Sequence, residues 1–204
     1  MQFTLEPPYL IVKPGVSEAE FYSQAGEDSD WEYLDGRVVM HSPTSERHEN
    51  LFRFLLILLG AYLDERPVGV VRGSRYPMRL DERWSSEPDL LVVREERRHL
   101  MTPIRLEGAA DMVIEIVSES DPQLDYREKL PRYLEAGIGE IWIVDPFRKE
   151  LLVERKTDSG YQATTQASGR VESAVVPGFW IDVSWLWEDH LPPALRCLSQ
   201  ILGS

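Results

Sequence analysis

Residues 111–145 read as strand, helix and strand in quick succession. DMVIEIVS (111–118) and EIWIVD (140–145) are near-continuous apolar runs rich in β-branched residues, the mark of strands covered on both faces. Between them, LDYREKLPRYLEAG reads as a helix ending at Gly137. Two strands joined through a helix form a right-handed crossover, so an α/β chain whose sheet is at least partly parallel is expected. Central strands of such a sheet are buried along their length, which makes Glu115, in the middle of DMVIEIVS, conspicuous. An ionised carboxylate persists there only if it is paired, densely hydrogen-bonded, bound to a cation or protonated.

The other carboxylate set into a comparable apolar strand is Asp89, in EPDLLVV. Two acids on neighbouring strands suit a magnesium site, because that hard cation takes one or two carboxylates and keeps several waters. The alternative is that each acid meets an arginine or backbone donors of its own. A lysine would complete a hydrolytic site by stabilising developing negative charge or orienting the nucleophile. Two residues after Glu115 stands Val117, which cannot do this; Lys129 on the following helix can. Asp125, one turn before Lys129, offers it an exposed i, i+4 ion pair as an alternative partner. Pro131 requires the helix either to start nearby or to bend there, since proline removes a hydrogen bond and clashes with the preceding turn.

Elsewhere the chain shows no repeat and no long linker. The start to about Ser29 is an acidic, proline-containing arm with at most a short helix over 17–24. Asp35-Gly36 is a turn signal ahead of a strand, and Ser42, Thr44 or Ser45 can cap a helix with Leu51, Phe54, Leu55, Leu58 and Leu59 at helical spacing. VGVVRGSRYPMRL reads as one strand, EPDLLVV as another entered through Pro88, and KELLVERK with residues 160–165 as a hairpin. WIDVSWLWEDHLPPALRCLSQIL reads as a strand end and one or two short helices, with Trp185 and Trp187 in the core or an interface.

A formal net charge of −13 argues against wrapping nucleic acid by bulk electrostatics. Residues 66–105 nevertheless hold nine arginines against six acids, so a local basic face is conceivable, although a solvated face is the simpler reading. The single cysteine, Cys197, excludes an intramolecular disulfide and a cysteine-built zinc site. The N-terminus lacks the basic region and long apolar stretch of a secretory signal, and LFRFLLILLGAYL is too short to span a hydrocarbon core. The expectation is a cytoplasmic protein with no membrane contact.

EPDLLVV, DMVIEIVSES and LDYREKLPRYLEAGIGEIWIVDP, in that order, closely resemble the Uma family, a bacterial group of restriction-endonuclease type classed with the PD-(D/E)XK nuclease fold. The resemblance extends to WEYLDGRVVMHSPTSERHENL upstream and loosely to PGFWIDV downstream, so it covers most of residues 31–187. It implies an α/β restriction-endonuclease-like core, a mixed sheet flanked by helices, preceded by an arm (1–30) and followed by a helical tail (188–204). It further implies a metal-dependent endonuclease hydrolysing DNA, with Asp89, Glu115 and Lys129 as the catalytic set. Asp89 and Glu115 would hold Mg2+ or Mn2+, and the Val117 carbonyl is expected to add a third ligand. His48 matches a family histidine on the first helix and Glu32 a family acid before the Asp35-Gly36 turn, and both are expected as supporting residues at the site, an exposed or capping role being the alternative for His48. Where the family often has Ser-Pro-Ser-Thr, this chain has Ser118-Glu119-Ser120-Asp121, which adds two acids. A non-catalytic binding or assembly protein that keeps the fold is the competing reading. Trp180, Trp185 and Trp187 point to a homodimer, since aromatic residues are enriched in interface cores.

Overall fold

A computed structural model describes residues 6–26, 29–73 and 75–203. Strand β1 (Leu10–Pro14) leads into α1 (Glu18–Gln24), which starts at a capping box where Ser17 and Glu20 satisfy each other's backbone N–H groups. β2 (Trp31–Leu34) and β3 (Arg37–His41) form a hairpin over Asp35-Gly36, both with positive φ, as the tight two-residue turn requires. Ser45 caps α2 (Glu46–Glu65), and its Leu51, Phe54, Leu55, Leu58 and Leu59 are buried along one stripe.

The stretch expected as a single strand over VGVVRGSRYPMRL is two strands in different sheets, β4 (Gly69–Gly73) and β5 (Met78–Asp81). Arg75 turns the chain with a positive φ, and Pro77 has no N–H for a ladder. β6 (Trp84–Ser86), β7 (Leu90–Arg94) and the two-residue β8 (Leu106–Glu107) precede β9 (Met112–Ile116). The crossover is a widened turn over Asp125–Lys129 running into α3 (Leu130–Glu135), after which come β10 (Glu140–Asp145), β11 (Glu150–Thr157) and β12 (Gly160–Gln166). A small ribbon of β13 (Arg170–Glu172) and β14 (Trp180–Asp182), a 3-10 turn over Val183–Trp187 and α4 (Ala194–Leu202) complete the described chain.

The central sheet has the order β12-β11-β10-β9-β7-β4, and β9 and β10 are its parallel pair, as the crossover requires. On one face α2 and α4 pack over Leu90, Ile114, Ile116, Trp142 and Val144. On the other, Leu91, Val113, Val117, Ile141 and Ile143 meet Tyr133 and Ile138 of the crossover and Met78 and Leu106 of the second sheet. That second sheet, β1-β3-β2-β6-β5-β8, is also mixed. It takes in β1, so part of the segment expected as an arm pairs along β3. Residues 1–5, 27 and 28 of that segment, and Ser204 of the tail, lie outside the described residues. Among the described residues no helix is long and apolar enough to cross a membrane.

Candidate active site

β7 and β9 run antiparallel with Leu90 opposite Ile114 and Leu91 opposite Val113, which brings Asp89, one residue further out, level with Glu115. The Ile116 N–H donates to Asp89 Oδ2 at 2.7 Å, and the Asp89 N–H reaches towards Glu115 Oε2 at 3.4 Å. Leu90, Ile114 and Ile116 pack under α2, so strand alternation puts Asp89 and Glu115 together on the opposite face. Both line one cavity of about 790 Å³, shared with Glu32, His41, His48 and Lys129.

Lys129 enters this cavity because the crossover helix does not start as a regular one. The Leu130 N–H bonds to the Asp125 carbonyl, five residues back, and Pro131 follows at the start of α3. Proline cannot donate to the usual ladder, and the wide turn absorbs the defect. Asp125 and Lys129 are therefore buried, in contrast to the exposed pair considered from sequence. Lys129 Nζ lies 3.1 Å from Glu32 Oε1, 3.4 Å from Glu115 Oε1 and 3.7 Å from Asp125 Oδ1. One turn on, the Tyr133 hydroxyl donates to Glu115 Oε1 at 2.6 Å.

Burial opposes the Lys129 charge, yet Glu115 and Glu32, with Asp125, hold its pKa well above the ordinary lysine value. Burial pushes Glu115 well above the carboxylate range; Lys129 pulls it back, and Asp125, Asp89 and Glu32 push it further up. Asp125 rises to about 6, chiefly by burial. Glu32 goes the other way, to about 2, because Lys129 and His41 outweigh its burial. Glu87, which also lines the cavity, is pushed to about 8 by burial and by Glu32, and among the described residues its Oε2 has no hydrogen-bond partner. Glu115, Asp125 and Glu87 are thus harder to ionise, whereas Glu32 is held ionised against Lys129 and His41.

Of the supporting residues expected from sequence, Glu32 touches Lys129, and His48, on the first turns of α2, has Nε2 3.3 Å from Asp89 Oδ1. Val117 does not line the cavity: its N–H donates to the Val144 carbonyl and its side chain belongs to the core around Tyr133, while Ile116, one residue earlier, lines the cavity. Ser118, Glu119 and Ser120 lie at the cavity wall, so one of the two extra acids noted in the sequence is there. His41 was missed, with Nε2 2.8 Å from Glu32 Oε2. Its signal was present in the hairpin: Glu32 opposes Val39, so His41, two residues on, is diagonal to Glu32 on the same face. At least six of the nine arginines in that stretch are ion-paired, Arg79 on Glu18, Arg83 on Asp35, Arg94 on Glu96, Arg97 on Asp111, Arg98 on Glu95 and Arg105 on Glu107, as a solvated face would be.

Asp89 and Glu115 offer hard oxygen donors in one cavity, a donor set that suits a magnesium or manganese ion retaining several waters. Burial and mutual repulsion make Glu115, Asp125 and Glu87 harder to ionise, and a bound cation would relieve that cost. Among the described residues no group of three or more His, Cys, Asp or Glu side chains is already arranged to hold a metal ion, so protein ligands alone would not complete a shell.

A family model, Uma2, described as "Putative restriction endonuclease", matches residues 18–184. A crystal structure of "a putative nuclease belonging to DUF820" from Anabaena variabilis ATCC 29413 shares the fold, with a TM-score of 0.73 and 15% identity over 84% of this chain and 97% of that one. No curated protein matches the chain.

Proposed function

Given that the chain belongs to the Uma2 family, we propose that it is a metal-dependent endonuclease that hydrolyses phosphodiester bonds in DNA. The observation that carries the reading is the meeting of Asp89, Glu115 and Lys129, from three separate elements, in one cavity. Asp89 and Glu115 would hold Mg2+ or Mn2+, which when bound supplies Lewis-acid polarisation of the phosphate and a more acidic water. The Ile116 N–H and His48 fix the Asp89 carboxylate from two sides. Tyr133 fixes Glu115. Lys129 presents an ammonium to the charge that develops on the phosphoryl oxygens, where a preorganised cation is most effective. A cytoplasmic setting belongs to the same reading, as does a two-fold dimer through Trp180, Trp185 and Trp187.

The competing reading, a binding or assembly protein, draws on Glu115: Tyr133 and Lys129 partner it without a metal. Two measurements separate the readings. Calorimetric titration with Mn2+ is expected to show binding to wild type and to Lys129→Ala, and none to Asp89→Ala or Glu115→Ala. Cleavage of plasmid and branched DNA with Mg2+ or Mn2+ is expected to fall about a hundredfold or more in Lys129→Ala. If wild type cuts none of these substrates, or Lys129→Ala cuts as well as wild type, the endonuclease proposal fails.

A further inference from the structure

We infer that His41 and Glu32 are a positioning pair that holds the Lys129 ammonium in place beside Glu115, an inference that rests on the role given to Lys129 above. Glu32 is 2% exposed and sits in the middle of β2. Both of its oxygens are engaged. Oε2 meets His41 Nε2 at 2.8 Å, and Oε1 accepts the Glu87 N–H at 2.8 Å and faces Lys129 Nζ at 3.1 Å. Held on both oxygens by groups of the hairpin, the β6–β7 segment and the crossover, Glu32 has the geometry of an orienting group. Among the described residues it is also the nearest carboxylate to Lys129, nearer than Glu115 at 3.4 Å.

A lysine needs such a second hold. Its ammonium is a compact charge on a flexible four-carbon stem, and held by Glu115 and Asp125 alone it would be free to follow either one. Glu32 fixes it from the other sheet, and through the Glu87 N–H ties it to the segment that carries Asp89 two residues later. His41 completes the arrangement. Without a donor on Oε2 the buried Glu32 carboxylate loses a charge-assisted hydrogen bond and is free to rotate or take up a proton, and its grip on Lys129 goes with it. The arrangement comes from the β2–β3 hairpin, whose tight turn sets His41 diagonal to Glu32.

The test uses the full-length chain and two readouts. Amine-reactive labelling followed by mass spectrometry measures how well Lys129 is held, with the other lysines as internal references. In His41→Ala, labelling of Lys129 is expected to rise about tenfold, the worth of one hydrogen bond to a charged group. Steady-state cleavage of DNA by the same variant is expected to show kcat down about tenfold with KM and Mn2+ affinity unmoved, less than the roughly hundredfold loss on removing the ammonium itself. His41→Gln, whose amide nitrogen can take the place of Nε2, is expected to recover most of both. If His41→Ala does not fold, Glu32→Gln is read in the same way. Unchanged labelling and unchanged kcat in His41→Ala would overturn the inference, and so would equal damage in the Ala and Gln variants accompanied by a fall in Tm. A rise in labelling with rescue by Gln, in a wild type that cuts no DNA, would uphold the positioning pair and overturn the nuclease reading.

Discussion

Glu115 is tolerated in β9 because Lys129 and Tyr133 occupy its oxygens from the crossover while the Asp89 backbone N–H approaches from the next strand. The arrangement is only partly compensating. Burial and three other acids leave Glu115 reluctant to ionise, and Asp125 shares the difficulty, its pKa raised from 3.8 to about 6. A carboxyl whose folded pKa is raised contributes its full stability below the unfolded value and loses it as pH rises through the folded one. Between pH 3.8 and about 6 the folded protein keeps a proton on Asp125 that the unfolded chain has released, so stability declines with rising pH across that window. Asp125→Asn removes this contribution. Without added metal, the Tm of wild type is expected to fall more steeply than that of Asp125→Asn between those pH values, and parallel Tm profiles would count against a buried, repelled Asp125.

Two backbone irregularities decide where the chemistry-bearing side chains point. The widened turn before Pro131 carries Lys129 into the cavity instead of leaving it on an exposed helix face. The break between β4 and β5 sends one half of an apolar stretch to the central sheet and the other to the N-terminal sheet, and so helps to join the two layers between which the cavity lies. β4 is placed by a close approach: a Cβ added at Gly69 would stand 2.5 Å from the Val93 carbonyl oxygen and 3.0 Å from the Arg94 Cα. Backbone cannot yield as a flexible side chain does. Gly69→Ala is expected to cost about 2 kcal/mol by forcing β4 away from β7, measured as a lowered midpoint in urea at unchanged slope. A midpoint equal to that of wild type would mean that the two strands do not approach so closely.

The whole chain, at −13, is poorly matched to long polyanions, and the ion pairs of its arginine-rich stretch leave little basic surface to offset this. Affinity for DNA is therefore expected to reside in the cavity. The C-terminal layer presents a different surface: Trp180 and Trp185 lie 5.4 Å apart, half-buried, and Arg170 covers the Trp180 ring at 4.4 Å. Aromatic and arginine side chains of this kind are enriched at interface centres, and a two-fold pair is the commonest closed assembly. Light scattering is expected to return twice the 23.5 kDa chain mass, with Trp180→Ala shifting the protein towards monomer. A monomer mass for wild type at working concentration would remove the dimer.

The crossover from β9 to β10, the α2 core stripe, the β2–β3 hairpin and the β11–β12 hairpin could all be read from sequence, because each follows from local periodicity and turn chemistry. Asp89 and Glu115 could be picked out as well, since a carboxylate inside an apolar strand, as Glu115 is, or at its very edge, as Asp89 is, contradicts its surroundings and so stands out. The short strands β6 and β8 could not, because two or three residues carry no period; nor could β1, which is held by pairing with β3. The course of Lys129 depended on how the backbone resolves the Pro131 defect, a choice made by the packing of α3 on the sheet. The fourfold meeting of His41, Glu32, Lys129 and Glu115 joins two sheets and a helix across a large separation in sequence. No local rule encodes which buried charges face one another; that follows from the stacking of layers, which places a hairpin from one sheet over the end of strands from the other.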